Sequence, residues 1–162
     1  MTKARPKSPR SRSNASDAAG DAWDRAVRLL AVHDRSEQEI RTRLADAGAA
    51  PATIDRTVRR LQHLGYLDDA RCAAGAAEQA VRRGYGSAYV QAHLAARGVA
   101  DGLIEAAIRA NFGDEGKLAR RALTHRYPTP PQQPRDRMKA ARYLLRRGFP
   151  EEVVFAILGE DC

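Results

Sequence analysis

With 162 residues, 43% of them apolar and only 6% aromatic, the chain holds enough material for one medium domain or a few small units, and its wealth of Ala and Leu favours helix over sheet. A net charge of +8 points toward an acidic partner such as nucleic acid, although an Arg-rich helical protein with a solvated basic face has the same composition. No apolar run approaches the roughly 18 residues of a membrane span. No signal-peptide core is present, and Cys72 and Cys162 stand too far apart to form a metal-ligand spacing, so a reduced, cytoplasmic protein without cofactor or membrane contact is expected.

Residues 1–21 are rich in Arg, Lys and Ser and lack large apolar side chains, which predicts a disordered basic tail. Trp23, Val27 and Leu30 then fall at helical spacing. Ser36 with Glu39 three residues on has the form of a capping box, in which each side chain satisfies a backbone N–H at a helix start. Ile40, Leu44 and Ala47 follow on one face until Gly48 stops the helix. Pro51 opens another, with Ile54, Val58 and Leu61 as its buried stripe and Gly65 at its end. Residues 22–67 therefore read as one three-helix unit.

A second unit, residues 68–112, opens at the cap pair Asp68–Asp69 and carries Ala73, Ala77 and Val81 inward until Gly84 and Gly86 break it. Ser87 is the expected cap of the next helix, which buries Val90 and Leu94 and closes at Gly98. Asp101 starts a third, with Leu103, Ile104, Ala107 and Ile108. The third unit, residues 113–162, begins near Asp114 and turns Leu118, Ala122 and Leu123 inward. Pro128–Pro134, with Pro130 and Pro131 inside it, reads as a stiff extended connector. Asp136 is the expected cap of a helix burying Ala140 and Leu144 and closing at Gly148. Pro150 precedes a last helix with Val153, Val154, Ile157 and Leu158 inward.

Five columns thereby repeat at a spacing of fifty residues: Ile40/Val90/Ala140, Leu44/Leu94/Leu144, Gly48/Gly98/Gly148, Ile54/Ile104/Val154 and Val58/Ile108/Leu158. A period of this size marks a tandem array. The expectation is an all-α protein of three three-helix repeats, nine helices in all, forming an elongated, curved body that works by surface rather than by a deep pocket. The register is tightest in the second and third helices of each unit.

Catalytic chemistry has no foothold in the pattern. His33, His63, His93 and His125 are not spaced as metal ligands, Asp68–Asp69 reads as a helix cap, and Gly84–Tyr85–Gly86 is too short to cradle a phosphate. Charge is distributed unevenly. Between Lys117 and Arg147 lie ten Lys/Arg and one acid, Asp136, whereas residues 68–116 hold five basic and seven acidic groups. Arg135, Lys139, Arg142 and Arg146 share one helical face, with Arg137 and Arg147 beside it, a stripe suited to phosphates or carboxylates. Smaller clusters are Arg56, Arg59 and Arg60, then Arg82 and Arg83. Tyr85, Tyr89 and Tyr143 are possible base-stacking groups, but core packing is the commoner use of such residues.

Gly65-Tyr66-Leu67-Asp68-Asp69, followed by Ala70-Arg71, resembles the G-Y-L-D-D signature of the RecX regulatory proteins. Arg35-Ser36 with Glu39, Arg41 and Leu44 is similar to that family's first-unit motif, and Arg142-Tyr143-Leu144-Leu145-Arg146-Arg147-Gly148-Phe149 to its C-terminal motif. The resemblance spans about residues 22–160, with Cys72 standing where the family has an aromatic residue. It implies a non-enzymatic, cytoplasmic modulator of the recombinase RecA that lies in the groove of the RecA–DNA filament and mostly inhibits ATPase, strand exchange and coprotease activities. On this reading Arg135, Lys139, Arg142, Arg146, Arg147, Arg59, Arg60, Arg82 and Arg83 face RecA or single- or double-stranded DNA, and the free protein is expected to be a monomer. A general nucleic-acid-binding helical repeat protein is the alternative, since the Arg clusters alone suffice for it.

Overall fold

The computed structural model describes residues 11–159, with side chains from residue 19 onward. Among the described residues it is all-α, without strands: α1 (Ser11–Val32), α2 (Glu37–Asp46), α3 (Pro51–His63), α4 (Asp69–Arg83), α5 (Ser87–Ala96), α6 (Asp101–Asn111), α7 (Glu115–Arg126), α8 (Pro134–Arg146) and α9 (Glu151–Leu158). They divide at Leu67/Asp68 into two compact units, the first holding α1–α3 and the second α4–α9.

Three starts differ from the expectations. Residues 11–21, read as tail, belong to α1, because Ala15, Ala18 and Ala19 carry strong helix propensity and no proline lies between Pro9 and Pro51. The remainder of the expected tail, residues 1–10, lies outside the described residues. Helix α8 begins at Pro134, so Asp136 is not its cap but sits in its first turn. Proline serves there as an N-terminal helical residue, where its missing N–H is not needed. Ser87 is the first residue of α5 rather than its cap, and Gly86 occupies the cap position.

Corresponding helices of the three repeats bury matching residue types. The first helices present alanines to the core: Ala22 and Ala26, then Ala73, Ala77 and Ala80, then Ala119 and Ala122. The second helices bury Leu44, Leu94 and Leu144 completely. The third helices add Ile54, Ile104 and Val154. Removing one of these leucines to alanine costs about 2–5 kcal/mol, a large fraction of a small domain's stability. The fifth column is looser: Val58 is fully buried, but Ile108 and Leu158 are only partly covered.

The repeated glycines close the second helices in one way three times. Gly48, Gly98 and Gly148 have φ of 82°, 73° and 77°, in the left-handed region that side chains with a Cβ resist. The amides of Gly48, Gly98 and Gly148 donate to the carbonyls of Ala45, Ala95 and Leu145. Those of Ala49, Val99 and Phe149 donate to the carbonyls of Leu44, Leu94 and Leu144. This paired closure satisfies the last carbonyls and sends the chain directly into the third helix. The Ser36–Glu39 capping box is present, the Ser36 hydroxyl accepting from the Glu39 amide at 3.1 Å and the Glu39 carboxylate accepting from the Ser36 amide at 2.8 Å. Asp68 and Asp114 cap α4 and α7 by accepting from the amides of Arg71 and Lys117.

Candidate functional site

The second unit brings the α4–α5 connection against the start of α7 and the α8–α9 turn of the third repeat. The Gly86 amide donates to the Arg147 carbonyl at 2.8 Å, and the Ala88 amide donates to the Gly148 carbonyl at 3.0 Å. The backbones approach so closely that a Cβ on Gly86 would meet the Gly148 carbonyl, and one on Gly148 would meet the Tyr89 backbone. Gly48 occupies the same repeat column, yet nothing lies within 4 Å of where its Cβ would be. On the other side, Glu115 of α7 accepts from the amide and the hydroxyl of Ser87.

Arg147 fastens the same joint with its side chain. Its guanidinium donates to the carbonyls of Arg83 and Gly84, at the negative C-terminal end of α4. It lies 4.8 Å from the Tyr85 ring centre and 5.2 Å from that of Tyr143. An arginine suits this position because a planar, delocalised cation can stack and donate at once. Expected to face a partner, Arg147 is thus half-buried and holds the second and third repeats together.

The rest of the α8 stripe lies on the surface. Arg135, Lys139, Arg142 and Arg146 are exposed, while Ala140, Ala141 and Leu144 bury the opposite side of the helix. Lys139 pairs with Asp136 at 3.0 Å. No ion pair engages Arg135, Arg142 or Arg146 among the described residues.

A cleft of about 330 Å³ opens between the end of α4, α7 and α8. Its cations are Arg82, Arg83, Arg121 and Arg147, with His125 beside them, and no carboxylate lines it. Val81, Leu118 and Ala122 give it apolar walls. Arg82 is tied to Glu78 at 3.3 Å, at an exposed position where such a pair holds weakly. Nothing in the sequence groups Arg121 and His125 with Arg82 and Arg83. Their only signal there is position: four apart on α7, on the turn that buries Ala122.

Alongside runs a ladder of rings. Tyr85 stacks on Tyr89 with centroids 4.2 Å apart, and Tyr89 lies 5.7 Å from His93 with the planes 5° from parallel. Tyr89 is 39% exposed, so the core role expected for it holds only in part.

In the first unit, Arg60 is exposed to solvent but lies over Trp23, 4.2 Å from the ring centre, and Trp23 meets Tyr66 edge-on. Arg59 is exposed near Asp55. Asp55 accepts from Arg41 at 2.6 Å, and this bond holds its carboxyl below the ordinary value. Arg41 also reaches Glu37 at 2.6 Å, so the cation bridges α2 and α3.

No helix among the described residues is long and apolar enough to cross a membrane. The three repeats match family descriptions in order: "RecX, first three-helix domain" at residues 22–61, "RecX, second three-helix domain" at 68–108 and "RecX, third three-helix domain" at 114–158. The chain is 39% identical over 131 residues to the regulatory protein RecX of Chromohalobacter salexigens, covering 81% of this chain and 86% of that one. It is 37% identical over 137 residues to the regulatory protein RecX of Escherichia coli strain SE11, covering 78% and 82%. The fold is similar to the crystal structure of RecX from Lactobacillus salivarius, with a TM-score of 0.67 and 21% identity over 90% of this chain and 97% of that one. A second RecX crystal structure gives a TM-score of 0.75 at 20% identity over 99% and 82%.

Proposed function

The chain belongs to the RecX family of regulatory proteins, modulators of RecA and not enzymes, and we propose that it acts as a cytoplasmic monomer that binds the RecA–DNA filament and mostly inhibits it. The observation that carries this reading is the exposed face of Arg135, Lys139, Arg142 and Arg146 on α8, which packs on the opposite side through Ala140, Ala141 and Leu144. A row of cations on a rigid helix suits acidic side chains of RecA or DNA phosphates along the filament. Bound there, the repeats obstruct the movement of partner DNA and nucleotide turnover. Arg147 supports the face from below.

The test is RecA's DNA-dependent ATPase. A RecA modulator inhibits at or below one molecule per RecA protomer and leaves unrelated DNA-dependent ATPases untouched. A general nucleic-acid-binding repeat protein needs enough material to coat the DNA and acts on those ATPases equally. Equal inhibition of an unrelated DNA-dependent ATPase, at the same concentrations, overturns the RecA-directed reading.

A further inference from the structure

We infer that the α4/α7/α8 cleft and the ring ladder beside it form a binding site for a single-stranded nucleic acid, with a phosphodiester in the cleft and an unpaired base against His93. The inference goes beyond RecA modulation, since it needs no RecA, and it is tested without it.

Three observations meet at this place. The first is charge. Arg147 is engaged by the carbonyls at the end of α4, so it neutralises the helix terminus that would otherwise repel an anion. Arg83 and Arg121 remain exposed, without an ion pair among the described residues, on a cleft that no carboxylate lines. The second is size. About 330 Å³ accommodates a nucleotide-sized group and stands at the small end of ligand pockets, roughly 300–1,000 Å³. The third is continuity. Arg147 lines the cleft and also lies over Tyr85, which stacks on Tyr89, which faces His93. A row of rings starting at the cleft and ending on an exposed imidazole offers a π-face to a neighbouring base. Bases in a duplex are already stacked on one another, so a ring of this kind serves an unpaired base. An acidic peptide would use the cations and leave the ladder without a role.

The full-length protein is titrated into a fluorescent single-stranded 20-mer of thymidine, an abasic strand of the same length and a duplex, with anisotropy as the readout. The intact strand is expected to bind about tenfold more tightly than the abasic one. Binding by the basic residues before α1 does not distinguish the two strands, so their ratio reports the ladder. His93→Ala should bring the ratio close to one and His93→Phe should restore it. R83E with R121E should weaken both strands about tenfold or more, most at low salt, and leave the ratio unchanged. Each variant's melting temperature is compared with that of the parent. His93 and both arginines are exposed, so the fold should persist. Equal affinity for intact and abasic strands, a duplex bound as tightly as the single strand, unchanged binding in the double charge reversal, or displacement by polyglutamate at concentrations matching the DNA overturns the inference. None of these outcomes bears on RecA inhibition, which is read separately.

Discussion

Glu115 accepts two hydrogen bonds from Ser87, one from the amide at 2.7 Å and one from the hydroxyl at 2.8 Å. Ser87 opens α5, and its N–H is one of the donors a helix start leaves without an internal partner. The group that satisfies it comes from α7, so one repeat caps a helix of the one before. Glu115→Ala should destabilise the protein by about 1–2 kcal/mol, in the range of a lost helix cap. Glu115→Gln should lose less, because its amide oxygen still accepts. Urea denaturation gives both values, and equal losses would assign the effect to charge alone.

Gly48 and Gly148 share a column and a backbone conformation but not a neighbourhood. Gly48→Ala should cost about 1–2 kcal/mol, the penalty of a left-handed residue with a Cβ. Gly148→Ala adds a collision with the Tyr89 backbone and should cost several times as much. Thermal melts of the two variants compare the positions directly. Similar melting temperatures would mean that the joint at Gly86 opens without loss.

Arg147→Ala removes donors to two helix-end carbonyls and two ring contacts, and about 2–3 kcal/mol of stability should go with them. Arg147→Lys should recover little, since an ammonium lacks the flat surface that lies between Tyr85 and Tyr143. Denaturant midpoints at constant slope check both variants. Full rescue by lysine would show that charge alone holds this joint.

Asp55 and Asp114 should contribute to the loss of stability in acid. The Arg41 bond holds the Asp55 carboxyl below its ordinary 3.8. The Lys117 amide, and then its ammonium, does the same for Asp114. Both values are depressed in the folded state, so their contribution is complete above the ordinary value and is lost as pH falls through the depressed ones. Replacing both residues with Asn should flatten the fall in melting temperature below about pH 4. A curve that keeps its original slope would place the sensitivity in other carboxylates.

Charge reversal at Arg142 and Arg146 should weaken the RecA complex strongly at low salt and less at high salt, with little change in melting temperature, because both side chains are exposed. Unchanged inhibition at both salt concentrations would remove the α8 face from the mechanism.

Periodicity and chain breakers make the helices legible before any coordinates are known, because each repeat buries the same columns and glycine stops each second helix. The Ser36 box is legible for the same reason, since both partners lie within one turn. Local pattern is ambiguous at Pro134, where proline can end a connector or begin a helix. The joint is illegible. Ser87 finds Glu115 28 residues away and Arg147 finds Arg83 64 residues away, and no local spacing relates such pairs. Arg147 continues a basic run as a sequence, and only its position at the end of α4 reveals its use as a fastener.

The two amide bonds from Gly86 and Ala88 to the consecutive carbonyls of Arg147 and Gly148 act as a two-point attachment. One bond would work as a pivot, whereas two side by side resist twisting about either. A push on the exposed side of α8 is therefore delivered to α5 as torque instead of being absorbed at a swivel. The fixing points are main-chain atoms, so these two bonds themselves depend on no side chain, only on the two glycines that let the backbones come so near.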